Sequence, residues 1–174
     1  VLFRSEQAVT TSLDAMASGG MYDPLGGGFA RYSVDEKWLV PHFEKMLYDQ
    51  ALLLRLYTRA WQVFGHDRWR QVAEEIVAYV LRDLTHPDGG FYSAEDADSL
   101  DESGHSHEGA FYVWTEAQVR SALAEPLARE AMEWYGITAR GNFEGANIPN
   151  RLHARGQFVR PPRIEEARSR LLSV

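Results

Sequence analysis

Asp23-Pro24-Leu25-Gly26-Gly27-Gly28-Phe29 and Pro87-Asp88-Gly89-Gly90-Phe91 are two copies of one loop signature, a proline and an acid followed by glycines and a phenylalanine. Each comes after a helix-prone stretch, and each is followed by a serine, Ser33 and Ser93. From Phe29 to Phe91 is 62 residues. Two apolar helical segments lie between them, so the repeating unit is a helical hairpin whose Gly-rich loops emerge at one end. A third, less faithful copy is Gly141-Asn142-Phe143-Glu144-Gly145. Hairpins of this kind describe a solenoid or, if closed, an α/α toroid. The expected fold is therefore mainly α, a partial α/α toroid of antiparallel helical hairpins with a small β-hairpin.

Outward from the loops, a first helix is expected from about Gln7 to Ser18, with Val9, Leu13 and Met16 on one face and Gly19-Gly20 as its stop. From Pro41 to Phe64 the sequence is apolar almost all round (Phe43, Met46, Leu47, Leu53, Leu54, Tyr57, Trp61, Phe64), which predicts a helix buried on most sides with Pro41 in its first turn. Asp67 is the expected cap of a second helix, whose Trp69, Val72, Ala73, Ile76, Val77, Val80 and Leu81 form a one-sided stripe. Gly90 to Ala94 and Ala110 to Trp114 are short, aromatic and β-prone, and they bracket a polar stretch, which predicts a small hairpin with a long loop. Thr115 and Gln118 form a capping box that opens a helix to about Ala124, and Pro126 starts another that ends at Gly136.

The chain has 174 residues, 45% of them apolar, and five tryptophans, enough for one domain with a real core. A net charge of -7 argues against nucleic-acid or anionic-membrane partners, because no basic stripe exists to release counterions. With no cysteine there is no disulfide framework and no thiol chemistry, and no apolar run approaches the length of a bilayer crossing. A cytoplasmic protein with a small-molecule partner and no cofactor is expected. Val1-Leu2-Phe3-Arg4-Ser5 reads as translated sequencing-adapter DNA without an initiator methionine. Residues 1–5 are accordingly taken as a non-native leader, residues 6–174 as a single domain, and the chain as a fragment of a longer one.

The runs Gly27-Gly28-Phe29-Ala30-Arg31-Tyr32-Ser33-Val34-Asp35, Trp38 to Asp49, Gly89 to Ser99, Glu108 to Thr115 and Tyr135 to Asn147 together resemble the spermatogenesis-associated protein 20 family, whose bacterial members are called thioredoxin-domain-containing proteins. The resemblance implies an N-terminal thioredoxin-like domain followed by a six-hairpin α/α toroid similar to N-acylglucosamine 2-epimerases and six-hairpin glycosidases. This chain corresponds to the front of that toroid. The thioredoxin-like part, an intramolecular partner in the parent protein, would lie upstream, so no redox role passes to these residues.

Read on their own, residues Met21 to His42 mix Tyr22, Phe29, Tyr32 and Trp38 with Asp23, Arg31, Asp35, Glu36 and His42, the blend of flat apolar faces and hydrogen-bonding groups that sugars require. The substrate-binding candidates are Tyr22, Arg31, Tyr32 and Trp38, joined by Phe91 and Glu95 from the second loop. The plainer alternative is that the aromatics cover helix ends as core. In the first turn of a helix, His42 would feel the positive end of the dipole and be biased toward the neutral base an epimerase or isomerase needs. The alternative is a histidine hydrogen-bonded to the adjoining loop. Glu44, in the same first turn, is expected to stabilise the dipole. A glycosidase would need two unequal carboxylates, and Asp35 or Glu36 with Asp96 or Asp98 could supply them, although turn acids more often cap backbone amides. The catalytic candidates are thus His42, Asp35, Asp96 and Asp98. His105 and His107, with Asp98, Asp101, Glu102 and Glu108, have no diagnostic ligand spacing and sit in a stretch longer than its counterpart in the family, so no metal site is expected. The functional expectation is a carbohydrate epimerase or isomerase, or a glycosidase; the rival is a non-catalytic module that uses the same rim to bind a protein or the thioredoxin-like domain.

Overall fold

In a computed structural model that describes residues 2–100 and 104–174, the three Gly-rich loops close in the same way. Each makes one antiparallel bridge: Tyr22 with Phe29, Thr85 with Phe91, and Phe143 with Ala146. Gly27 and Gly28 are left-handed (φ 81° and 77°), and a Cβ on them would stand 2.6 Å from the Glu75 carbonyl and 2.5 Å from the Tyr79 ring. Both the conformation and the close approach demand glycine, which lets the loop lie against the helix carrying Glu75 and Tyr79. From the other side Gln50 grips the same loop: its Oε1 accepts from the Phe29 N–H at 2.9 Å and its Nε2 donates to the Phe29 carbonyl at 2.6 Å. A buried amide thus satisfies a backbone pair that no strand reaches.

Among the described residues the fold is mainly α, with six α-helices and three two-stranded antiparallel pairs. Helix α1 (Leu2–Ser18) packs on the antiparallel hairpin α2 (Leu47–Phe64) and α3 (Asp67–Asp83), which turns at the left-handed Gly65. Leu13, Ala17, Phe29, Tyr57, Trp69, Val72 and Ile76 form the first core. Each such large side chain, fully buried, contributes about 1.5–3 kcal/mol. The second core lies among α4 (Glu116–Ala122), α5 (Leu127–Tyr135) and α6 (Pro162–Leu171), centred on Val119, Ala128, Ala131, Tyr135 and Ala167. The capping box is present: the Gln118 N–H donates to Thr115 Oγ1 at 3.2 Å, and Gln118 Oε1 accepts from the Thr115 N–H at 2.8 Å. Gly136 ends α5 with φ 68°. The Phe43 ring stands 5.9 Å from Tyr112 and 5.7 Å from Phe143 of the third loop.

Several details correct the sequence reading. Helix α1 begins at Leu2 rather than near Gln7, and α4 ends at Ala122. The helix expected from Pro41 starts only at Leu47. Before it the chain is extended: β2 (Pro41–His42) pairs with β1 (Tyr32–Ser33), and β3 (Lys45–Met46) pairs with β4 (Ala94–Glu95). Burial alternates along this ribbon, with Pro41, Phe43 and Lys45 inside and His42, Glu44 and Met46 partly open, the period of a strand and not of a helix. Cross-loop pairing has overridden the local helical pattern. Helix α2 is also less enclosed than expected, since Leu52, Leu56 and Val63 are 64%, 43% and 63% exposed. Asp67 is the first residue of α3, and His66 occupies its N-cap.

The expected hairpin between Gly90–Ala94 and Ala110–Trp114 does not form. Ala94–Glu95 belongs to the pairing with β3, Ala110–Tyr112 is a 3-10 turn, and Trp114 bridges to Asn147. The small hairpin is instead β5 (Asp98–Leu100) with β6 (Ser106–Glu108), inside the stretch expected to be loop. Its ladder satisfies the backbone although its side chains are mostly polar. No helix among the described residues is long and apolar enough to cross a membrane.

Candidate functional site

Because successive residues of a strand point to opposite faces, the ribbon 41–46 presents two chemically different surfaces. On the outer face stand His42 and Glu44. Across the β1–β2 pair, Tyr32 is registered with His42 and the two rings lie 5.2 Å apart. His42 Nδ1 is 2.9 Å from Glu108 Oε1, and its Nε2 faces Glu44 Oε2 at 3.6 Å. A carboxylate only accepts, so in the neutral ring Nδ1 carries the hydrogen and Nε2 holds the lone pair. Glu44 also accepts from Arg31 Nη1 at 3.0 Å, and its carbonyl takes the Arg31 N–H at 2.9 Å. Asp49, in the first turn of α2, has a buried Oδ2 with no hydrogen-bond partner. Burial pushes its carboxyl above the usual aspartate value; the Arg31 charge opposes this and Glu44 adds to it. The exposed Tyr48 ring flanks the cluster.

Lys45 stands on the inner face, with its side chain only 3% exposed. Its ammonium donates to Asp23 Oδ2 and to the Gly27 carbonyl, both at 3.0 Å. It also sits 4.3 Å from the Tyr79 ring centroid and 4.6 Å from that of Tyr112. Burial alone would push the Asp23 carboxyl up. The Lys45 charge and the backbone amides of Gly26 and Leu25 outweigh it and hold the group below the usual aspartate value. The Tyr79 hydroxyl donates to Glu95 Oε2 at 2.5 Å, and burial with that carboxylate pushes its ionisation up. Glu95 and Tyr79 border an open groove of about 1320 Å³, shared with Arg82, Phe111 and Trp114. Every formal charge on this inner side has a partner, so it behaves as a structural hub.

The sequence candidates divide accordingly. His42, Arg31 and Tyr32 come together on the outer face, and Asp98 stands opposite Glu108 in the β5–β6 register, at the edge of the same cluster. Asp35 is fully engaged in its own turn: its carboxylate accepts from the N–H groups of Lys37, Leu39 and Val40 at 2.8, 3.0 and 2.8 Å. Asp96 accepts from the Asp98 N–H at 3.1 Å and is otherwise exposed. Tyr22 is a core residue whose hydroxyl donates to Glu75, and Trp38 packs against the first core with a left-handed backbone (φ 69°). Phe91 closes the second loop and is 57% exposed, while Glu95 faces the groove.

The expectation that the dipole of α2 acts on His42 and Glu44 is overturned, since both precede that helix on the ribbon. Asp101 and Glu102 lie outside the described residues, and among those described no group of three His, Cys, Asp or Glu is arranged to hold a metal. Asp49, Lys45, Tyr79 and the pairing role of Glu108 were not legible beforehand. The available signal was the polar-apolar alternation of His42-Phe43-Glu44, which Lys45 obscured by being polar on the apolar side.

No family model matches this chain. Spermatogenesis-associated protein 20 of Mus musculus is 46% identical over 157 residues, 84% of the chain and 20% of that protein. The Homo sapiens protein of the same name is 46% identical over 156 residues, with the same shares. The chain is homologous to the spermatogenesis-associated protein 20 family. An uncharacterised Caenorhabditis elegans protein is 44% identical over 149 residues, 80% of the chain and 20% of that protein. The chain thus spans about one fifth of the length of these spermatogenesis-associated protein 20 relatives.

Proposed function

We propose that the outer face of the ribbon is a proton-transfer site of the sugar epimerase or isomerase type. The observation that carries this reading is the His42–Glu108 contact at 2.9 Å. It fixes the ring with Nδ1–H toward the carboxylate, and Nε2, which faces Glu44 Oε2 at 3.6 Å, is the nitrogen that would act as a general base. A reaction that removes and returns a proton α to a carbonyl also needs an acid and a group to polarise the oxygen. Asp49, pushed upward and unpartnered at Oδ2, fits the first role, and the Arg31 guanidinium fits the second. Tyr32 and Tyr48, 50% and 48% exposed, offer flat faces for a sugar ring. In this reading the hairpins are the front of an α/α toroid whose mouth the three loops line, preceded in the parent protein by a thioredoxin-like domain.

Proton NMR of the protein in deuterated water, with a panel of hexoses and N-acetylhexosamines, tests the reading directly. Deuterium appearing at C2, abolished in His42→Ala, supports it. Freed reducing ends would move the chemistry to a glycosidase carried by the carboxylates Glu44, Asp49 and Glu108. Silence across the panel would favour a non-catalytic binding module, a second reading favoured by the apolar stripe that Leu52, Leu56 and Val63 leave open on α2.

A further inference from the structure

Arg151 carries a positive charge into the interior and meets no acid there. The residue is 8% exposed. Its Nε donates to the Gln157 carbonyl at 3.0 Å, and its Nη1 donates to the Trp134 carbonyl at 2.7 Å and lies 3.1 Å from His153 Nε2. The guanidinium stacks 3.7 Å from the Trp134 ring centroid. These partners are neutral, and among the described residues no carboxylate lies within ion-pair distance and Nη2 has no protein acceptor. A buried cation without a counter-charge is costly unless its donors are satisfied, and the one donor group left open here is Nη2.

Arg151 lines a cleft of about 460 Å³ with Gly65, His66, Asp67, Arg68 and Trp134. Two other charges border it. Arg68 is spent on Asp14, Nε to Oδ1 at 2.8 Å. Asp67 is 76% exposed and lies 3.8 Å from Arg70. The same cleft receives the start of α3, a helix of 17 residues whose N-cap, His66, gives its first amides no side-chain hydrogen bond. The one guanidinium nitrogen without a protein acceptor, Nη2, and the positive end of a helix therefore border one solvent-filled space. None of these residues belongs to the His42 cluster.

We propose that this cleft binds a small oxyanion, a phosphate monoester or a carboxylate, with Arg151 as its anchoring cation and the first amides of α3 as its second set of donors. The test is a ¹H–¹⁵N NMR titration of the full chain with inorganic phosphate and, in parallel, with acetate, each against sodium chloride at matched ionic strength. Saturable shifts confined to the Arg151 Nε–H, the Trp134 indole N–H and the amides of residues 65–68 are expected, with at least a tenfold loss of affinity in Arg151→Gln. Saturation by phosphate at lower concentration than by acetate identifies a phosphate monoester as the natural class, and the reverse order a carboxylate. Shifts matched by chloride, shifts that do not saturate, or equal affinity in the variant would overturn the proposal. If Arg151→Gln does not fold, Arg151→Lys takes its place: keeping the charge and losing the guanidinium, it should bind measurably more weakly, and unchanged affinity would overturn the proposal equally.

Discussion

Lys45 and His42 stand three positions apart on one extended ribbon, one facing in and the other out. On the inner side the charges close on themselves: ammonium with carboxylate, ammonium over two tyrosine rings, and a tyrosine hydroxyl on Glu95. On the outer side they do not close. Three carboxylates, one guanidinium and one imidazole share a partly open surface, and the Asp49 Oδ2 is left without a partner. The same strand alternation produces both. What differs is how completely each group is satisfied, and incomplete satisfaction beside an imidazole is where chemistry is to be sought.

The comparison breaks most visibly through Lys45. Lys45→Met removes the ammonium and leaves Asp23 buried without its counter-charge, and a loss of about 3–5 kcal/mol is expected because removing one partner of a buried pair strands the other. Urea denaturation at pH 7 measures it. A midpoint unchanged from wild type would mean that the inner side is not a hub. Asp23→Asn strands the Lys45 ammonium in turn, but the amide keeps an oxygen for it, so a loss at the lower end of that range, about 3 kcal/mol, is expected. Its pH dependence carries the sharper information. The Asp23 carboxyl is held below its usual value in the folded chain, so its stabilisation is fully present above the unfolded value and is lost as pH falls through the folded one. The stability gap between wild type and Asp23→Asn should therefore narrow as pH falls below about 4. A gap constant with pH would remove Lys45–Asp23 from the account.

The loops, the capping box, the α2–α3 hairpin and the stop at Gly136 were legible because each rests on local chemistry: glycine where a left-handed backbone is needed, a threonine hydroxyl where an amide is free. The ribbon was not legible because its pairing is made with residues far along the chain, Tyr32–Ser33 on one side and Ala94–Glu95 on the other. Pro41 and the apolar residues behind it fit a helix equally well, and only the partners decide. The site followed the same division. His42, Arg31 and Tyr32 could be named from one loop, whereas Glu108 reaches His42 across 66 positions. Asp35 and Tyr22 were legible as residue types and not as roles, since three backbone amides and one buried glutamate claim them.

On the outer face the expected effects on stability are small and those on turnover large. His42→Ala should change the unfolding free energy by no more than about 1 kcal/mol, the scale of partly exposed ion pairs. It should lower the rate of deuterium exchange about 10²–10⁴-fold, the contribution of a positioned general base. Glu108→Gln keeps a hydrogen-bond acceptor for Nδ1 and should fall between wild type and His42→Ala. Equal rates in all three proteins would detach this cluster from catalysis.

Asp49→Asn is the finest test, because it sets the two faces against each other in sign. Asp23 is held down by a cation; Asp49 is pushed up, by burial first and by Glu44 besides, against the pull of Arg31. A carboxyl raised in the folded state contributes most below its unfolded value, and that contribution is lost as pH rises through the folded one. The asparagine variant does not lose it. Relative to wild type, Asp49→Asn should therefore gain stability as pH rises above the unfolded value of about 4, within about 0.5 kcal/mol, the range of substitutions outside a core. The dipole of α2 works the other way, favouring an ionised Asp49 in the first turn by about 0.3–1 kcal/mol. The slope of the difference with pH shows which effect wins. A slope opposite to the one expected would mean that Arg31 and the helix end hold Asp49 ionised, and the acid of the proposed pair would then have to come from Glu44.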